Sequence, residues 1–282
     1  MSLREIHTDH ILQAVADMCI DINIHLPKDI ASTIANFTKS EPFAPAKEIL
    51  LQLQANSRVA AESNMPICQD TGMVIAFVDI GQDVHIVGED IESAINKGVA
   101  KGYIEGYLRK SVVADPIERV NTKDNTPAVI HYRIVPGDQI KINLIAKGFG
   151  SENMSALKIL TPSEGMEGVK KFVLETVYKA GARPCPPLII GIGIGGSFEK
   201  CALLSKQALL LPMDKHNENP IYAEYENIIL DAINSTGIGP QGFGGKTTAL
   251  SVKILSYPTH ITSLPVAVNV GCHVTRHGSI VL

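Results

Sequence analysis

Residues Met65 to Gly72 read MPICQDTG, and the run MVIAFVDIG follows at once. A thiol (Cys68), an amide (Gln69) and a carboxylate (Asp70) thus occupy consecutive positions between a proline and a glycine, just before an apolar segment. Neighbouring residues in an extended turn point in different directions, so one side chain can face a bound group while the next faces its substrate. A thiolate there can hold a soft metal, an amide can hold a polar ligand, and a carboxylate can move a proton. The local alternative for Asp70 is an Asx-turn closing on Gly72, and the two roles are compatible.

The five cysteines sort into two groups. Cys19, in AVADMCIDI, and Cys201, in EKCALLSKQALL, lie inside helical apolar patterns, where a thiol behaves as a small hydrophobe. Cys68, Cys185 in ARPCPPLII and Cys272 in VNVGCHVTRHG each lie in a Pro- or Gly-bounded turn beside a predicted strand. An odd, scattered set does not read as a disulfide framework. Three loop thiolates suit a soft metal centre, and the absence of any C-x-x-C pair argues against zinc fingers and ferredoxin-type clusters. With three thiolates on a 4Fe-4S cluster, one iron keeps an open position that can act as a Lewis acid. The same spacing also fits three unrelated loop thiols, or a zinc-binding or purely structural role.

Three glycine-bearing stretches carry further possibilities. GIGIGG satisfies G-x-G-x-x-G through Gly191, Gly193 and Gly196, follows an apolar strand and precedes a helix that Ser197 can cap. This supports an NAD-binding oxidoreductase as the rival reading. Against it, the acid near the expected distance, Asp214, lies in the loop LPMDKHNENP rather than at the end of a second strand, and no βαβ unit closes around the motif. GPQGFGGKTTAL resembles a phosphate loop, but Pro240 stands where that loop requires glycine. KGFGSENMS gathers Lys147, Gly148, Gly150, Ser151 and Asn153 in one predicted loop.

The elements that must position these residues follow from periodicity. The first 64 residues show helical spacing and no strand: DHILQAVADMCIDINIHL, KDIASTIANFTKS and APAKEILLQLQANSRVAAESN, separated by prolines. Beyond Cys68, MVIAFVDI and DVHIV read as strands, and EDIESAINKGVAKGYIEGYLRKS as a helix. AVIHYRIVPGDQIKINLIAKG reads as a hairpin turning at Pro136-Gly137-Asp138. The spacing of Thr161 and Glu164 predicts a capping box opening the helix SEGMEGVKKFVLETVYKAGA. A strand PPLIIGIGI, the helices SFEKCALLSKQALL and IYAEYENIILDAINS, and the strands TALSVKILS and LPVAVNVG complete the series. The pattern is mixed α/β, a helical N-terminal part joined to a mixed-sheet body, with the Cys68 turn at the junction.

Composition limits the partners. A chain of 282 residues that is 45% hydrophobic can bury a substantial core. Its formal net charge of -4 gives no general attraction for nucleic acid or an anionic membrane, and aromatics at 5% without tryptophan offer no base-stacking platform. No apolar stretch reaches the roughly 18 residues of a spanning helix. Met1 to His10 lacks the regions of a signal peptide, so a cytoplasmic protein is expected.

The motifs PICQDTG, YLRKSVVADP, KGFGSENMS, ARPCPPLIIGIGIGGSFEKCALLSK, GPQGFGGKTTAL and GCHVTRHGS occur in this order from Pro66 to the C-terminus. In them the chain resembles the alpha subunit of the two-subunit class I (iron–sulfur) fumarate hydratases and L-tartrate dehydratases. The resemblance implies one domain over residues 1–282, of the class I fumarase N-terminal type, with residues 1–64 as its helical part. It implies Cys68, Cys185 and Cys272 as ligands of a 4Fe-4S cluster with one iron not held by protein. It implies Gln69 and Asp70 as substrate contacts, Asp70 also in proton transfer, and Arg109 in YLRKS as a carboxylate clamp. Gly148 and Gly150 would offer backbone contacts, GFG replacing the family's more usual glycine triplet, and Lys246 with Thr247 would contribute from their own loop. The implied reaction is reversible hydration of a C4 dicarboxylate, fumarate to L-malate first and tartrate dehydration next. The remaining cations and the base would come from a beta subunit carrying a swivelling domain, in an alpha2beta2 assembly. The chain ends ten residues beyond Cys272, so the isolated subunit is expected to hold its cluster poorly and to have little activity alone.

Overall fold

A computed structural model describes residues 3–282 as a mixed α/β fold in two compact units. The first unit takes in the chain up to Pro27, Ser57–Gly148 and Arg276–Leu282; the second takes in Lys28–Asn56 and Phe149–Thr275. The N-terminal helices are therefore shared between the units: α1 (Thr8–Ile24) belongs to the first, α2 (Lys28–Ser40) to the second, and α3 (Ala44–Glu62) runs from one into the other.

The first unit has a four-stranded sheet in the order β10 (Arg276–Val281), β5 (Ile140–Lys147), β2 (Met73–Gly81), β4 (Val129–Val135). β1 (Arg4–His7) pairs in parallel with β3 (Val84–Val87), which corrects the expectation of a purely helical N-terminus. Four residues with one buried side chain, Ile6, give too little alternation to register as a strand. Against this sheet pack α1 and α4 (Ile91–Glu105). Their close approach depends on Gly98 and Gly102, one helical turn apart, where a Cβ would lie 2.6 Å from Leu12 O and 2.6 Å from Ala16 O respectively.

The expected hairpin does not form. β4 and β5 flank the turn at Pro136 to Asp138, but both pair with β2, β4 in parallel and β5 antiparallel, on its opposite edges. β2 has an almost continuously buried middle and takes the centre, whereas β4 shows many exposed positions and takes an edge. The predicted helix through Ser111 also stops early, at Glu105, because Tyr107 adopts φ 51. Arg109 consequently lies in a loop.

The second unit has the sheet order β6 (Ala156–Leu160), β9 (Leu264–Gly271), β7 (Leu188–Gly195), β8 (Ala249–Tyr257). β7 is antiparallel to β9 and parallel to β8. Its sequence LIIGIGIG explains its burial on both faces. Leu188, Ile190, Ile192 and Ile194 join the core under α6 (Gly165–Ala180) and α8 (Pro220–Asn234). On the alternate face, a Cβ at Gly191 would lie 2.1 Å from Ser205 O and one at Gly193 2.0 Å from Cys201 O, both in α7 (Phe198–Ala208). Side chains there would push the helix off the sheet. The Thr161 capping box forms, Thr161 N donating to Glu164 Oε2 at 2.7 Å, and a single 3-10 turn separates it from α6. The predicted KGFGSENMS loop contains one short helical turn, α5 (Phe149–Glu152). Strands β6 and β10, short and partly exposed edge strands, were not legible in the periodicity.

Candidate active site

The Cys68–Gly72 segment lies in the first unit, between α3 and β2, and its backbone is fastened from several sides. Ile67 N donates to Asn23 O at 2.9 Å. Gly72 N donates to Asp70 Oδ1 at 3.0 Å, closing the expected Asx-turn. Gly72 has φ +80, and a Cβ there would meet Ala146 C at 2.7 Å, so only glycine lets the turn lie against β5. Tyr103 OH donates to Thr71 O at 2.7 Å and to Gly72 O at 3.1 Å, and Asn125 Nδ2 donates to Gly72 O at 3.2 Å. Burial pushes the Tyr103 hydroxyl far above its ordinary range, so it stays a neutral donor.

Two arginines belong to the same unit. Thr71 Oγ1 donates to Arg109 O at 3.1 Å, which ties the Arg109 loop to the turn and leaves the Arg109 residue exposed. Arg276, at the start of β10 and 1% exposed, donates through Nη1 to Asp70 O at 2.5 Å and to Asn23 Oδ1 at 3.2 Å. A Cβ on Gly148 would lie 3.3 Å from both Asp70 Oδ2 and Arg276 Nη2. Gln69 is exposed and Asp70 half-buried. Asp70, Gly148 and Arg276 thus form one neighbourhood, in which a carboxylate and a guanidinium flank a glycine backbone, and Arg109 adjoins it through its backbone carbonyl on Thr71.

In the second unit, Cys185 and Cys272 flank neighbouring strands. Cys185 precedes β7, Cys272 follows β9, and Ile189 stands opposite Gly271 in the antiparallel pairing. His273 Nδ1 lies 3.0 Å from Cys185 O, and Gln241 Nε2 donates to Pro186 O at 2.7 Å. Cys185 itself is exposed and has φ 56, a conformation few non-glycine residues adopt. A Cβ on Gly150 would lie 3.8 Å from Arg183 O, so this glycine adjoins the Cys185 loop whereas Gly148 belongs with Asp70. Within neither unit do three His, Cys, Asp or Glu side chains among the described residues gather as they would round a metal ion.

The chemistry of the donor set fits an iron–sulfur cluster. None of the five thiols forms a disulfide, and Cys68, Cys185 and Cys272 are all at least partly accessible in loops. Cys19 and Cys201 are buried in α1 and α7, as their apolar setting predicts, and burial raises both, Cys19 to about 12. Buried, protonated thiols are poor ligands.

Lys246 lies in the glycine loop before β8, exposed, with its backbone held by Glu41. Lys246 N donates to both Glu41 carboxylate oxygens at 3.1 Å, and Thr247 N and Oγ1 donate to Oε2 at 2.8 and 2.5 Å. Burial pushes the Glu41 carboxyl up, but the hydrogen bonds from Thr247, Lys246 and Phe43 outweigh it and hold it below its ordinary range. This loop leads into a strand rather than the helix of a phosphate loop, and its amides already hold a carboxylate. At Gly191 to Gly196, contrary to the expectation from sequence, β7 and β8 are parallel and joined through α7 and α8, so a strand–helix–strand crossover does exist. Asp214 nevertheless lies in the loop between those helices, and Gly191 and Gly193 are accounted for by α7.

Sequence reasoning singled out neither Glu41 nor Arg276. Each acts on a segment more than 200 positions away, and no local pattern marks such a partner.

The sequence model of the fumarate hydratase (fumerase) family matches residues 12–281. The chain is 39% identical to the putative L(+)-tartrate dehydratase subunit alpha of Methanocaldococcus jannaschii, over 94% of this chain and 95% of the relative. It is 34% identical to the L(+)-tartrate dehydratase subunit alpha of Escherichia coli O157:H7, over 96% of this chain and 90% of the relative. It is 32% identical to the protein of the same description in Shigella boydii, with the same coverage.

Proposed function

Because the chain belongs to the fumarate hydratase (fumerase) family and is a hydro-lyase, we propose that it is a 4Fe-4S-bearing alpha subunit that hydrates fumarate reversibly to L-malate. The observation that carries this reading is the division of the thiols, three in accessible loops and two sealed in helices, in a chain matched by the family from residue 12 to 281. The names of the relatives favour a second substrate, L-tartrate, which the same kind of site would dehydrate.

In this reading Cys68, Cys185 and Cys272 hold the cluster. When bound, the cluster supplies an open iron as Lewis acid for a substrate hydroxyl and carboxylate. Arg109, on its exposed loop, clamps a substrate carboxylate with its planar fork. Gln69 donates to the substrate from the turn. Asp70 moves or orients the proton at the neighbouring carbon, its carboxylate steadied by the Gly72 amide. Gly148, beside Asp70, lets the substrate approach the backbone, and Gly150 is the second candidate contact. Lys246 adds a cation from its loop. A beta subunit completes the site in an alpha2beta2 assembly, and the protein works in the cytoplasm.

The test is anaerobic iron–sulfide reconstitution of the wild type and of serine variants at each cysteine, with a visible spectrum and turnover of fumarate and L-tartrate in the presence of the beta subunit. Loss of the chromophore in Cys68→Ser, Cys185→Ser and Cys272→Ser, but not in Cys19→Ser or Cys201→Ser, is expected. Wild-type protein that forms no chromophore with its partner, or turns over neither substrate, overturns the reading. Full turnover without the partner overturns the two-subunit part alone.

A further inference from the structure

Arg276 is among the largest fully buried side chains, and its Nε is buried without a hydrogen-bond partner. A guanidinium removed from water is costly unless its donors are satisfied, and an orphaned buried donor costs about 1–3 kcal/mol. The contacts it makes through Nη1 go to oxygens that carry no formal charge, the backbone carbonyl of Asp70 and the Asn23 side-chain amide. Packing alone does not call for this arrangement, because an apolar side chain of similar volume at the start of β10 would fill the space without the desolvation. What the guanidinium does that an apolar chain cannot is grip the Asp70 carbonyl. That bond fixes the peptide plane between Asp70 and Thr71, on which the direction of the Asp70 side chain depends.

The surroundings point the same way. Gly148 leaves room between Asp70 Oδ2 and Arg276 Nη2, since a Cβ there would crowd both at 3.3 Å. The other anchors of the turn, Tyr103 and Asn125, hold the carbonyls of Thr71 and Gly72. Arg276 alone among these side chains reaches the Asp70 carbonyl.

We propose that Arg276 is the positioning residue of the Gln69–Asp70 segment: its buried guanidinium holds the Asp70 carbonyl and so sets where the carboxylate stands beside Gly148. The inference deepens the hydro-lyase reading and rests on it for the role of Asp70. Lysine at this position keeps the charge but carries its ammonium on a flexible stem, without the rigid planar guanidinium that holds Nη1 against both Asn23 and the Asp70 carbonyl.

The experiment uses the reconstituted complex with the beta subunit and the variants Arg276→Lys, Arg276→Ala and, as an independent probe of the gap, Gly148→Ala. Two readouts are taken: kcat and KM for fumarate and L-tartrate, and amide hydrogen exchange resolved by peptide. Arg276→Lys is expected to lower kcat about 10–100-fold with KM within about twofold, as a misplacement near 1 Å does. Exchange should quicken in the peptide covering Gln69–Gly72 while α1 and α4 stay protected. Should Arg276→Ala fail to fold, Arg276→Lys decides the matter alone. Wild-type kcat in Arg276→Lys, unchanged exchange in the turn, or a uniform rise across the whole first unit overturns the proposal, the last by showing a merely structural role. A wild-type complex inert on both substrates defeats the hydro-lyase reading instead, and the exchange arm still decides whether Arg276 orders the turn.

Discussion

Thr247 and Glu41 stand 206 positions apart in the sequence, yet Thr247 Oγ1 donates to Glu41 Oε2 at 2.5 Å. With the amides of Lys246 and Thr247 on the same carboxylate, the glycine loop is an anion nest whose anion is supplied by the chain itself. The resemblance of GPQGFGGKTTAL to a phosphate loop therefore has a physical basis, since both offer converging backbone amides. What differs, besides Pro240 and the strand that follows the loop, is the occupant.

Replacing that carboxylate is expected to loosen the loop. Glu41→Ala leaves the Thr247 amide and hydroxyl buried without their acceptor and costs on the order of 3 kcal/mol, read as a fall in the urea midpoint. The effect is pH-dependent. The carboxyl is lowered in the folded state, so its contribution is complete above the ordinary carboxylate value of about 4.3 and is lost as pH falls through the lower folded value. The stability gap between wild type and Glu41→Gln should accordingly be constant near neutrality and close on acidification below about pH 4. A gap that widens with acid would contradict the sign of the shift.

Asp70→Asn separates fold from chemistry. The asparagine Oδ1 can still accept from the Gly72 amide, so the Asx-turn survives and stability should change by less than about 0.5 kcal/mol. Removal of the ionisable group should lower kcat by roughly 10²–10⁴ in the complete complex. Equal losses of stability and activity would place Asp70 in the fold alone.

Gly193→Ala tests the explanation of the glycine repeat. Its Cβ would stand 2.0 Å from Cys201 O, a backbone atom that cannot step aside without moving α7. Destabilisation of about 3 kcal/mol or more is expected, at the upper end of overpacking effects. Addition of NAD should leave the melting temperature of the wild type unchanged; protection at millimolar cofactor would revive the oxidoreductase alternative.

Thiol labelling of the cluster-free chain at mildly alkaline pH should find the cysteines in order of access. Exposed Cys185 reacts first and half-buried Cys68 and Cys272 next, whereas Cys19, raised to about 12 by burial, and Cys201 react only after unfolding. Peptide mapping of the alkylated protein reads this directly, and early modification of Cys19 would refute the packing of α1 against α4.

Much of this protein was determined by local sequence. The helices α1, α6 and α8 follow from apolar spacing, the Thr161 capping box from two residue types three apart, and the split of the cysteines from whether each lies in a periodic run or a turn. These features depend on neighbours within a few positions, which is what a sequence displays. The Asx-turn at Asp70 belongs to the same class.

Only the tertiary structure decided the rest, because the partners are remote. Sequence displayed β4, its turn and β5 correctly but could not show β2 inserted between them, since burial of both faces of β2 outweighs the short connection. The glycines of GIGIGG acquired their reason only once α7 lay on β7, at a distance where any Cβ would strike backbone. Glu41 and Arg276 have no local signature at all. Each became meaningful only when the fold brought it to donors or acceptors more than 200 positions away along the chain.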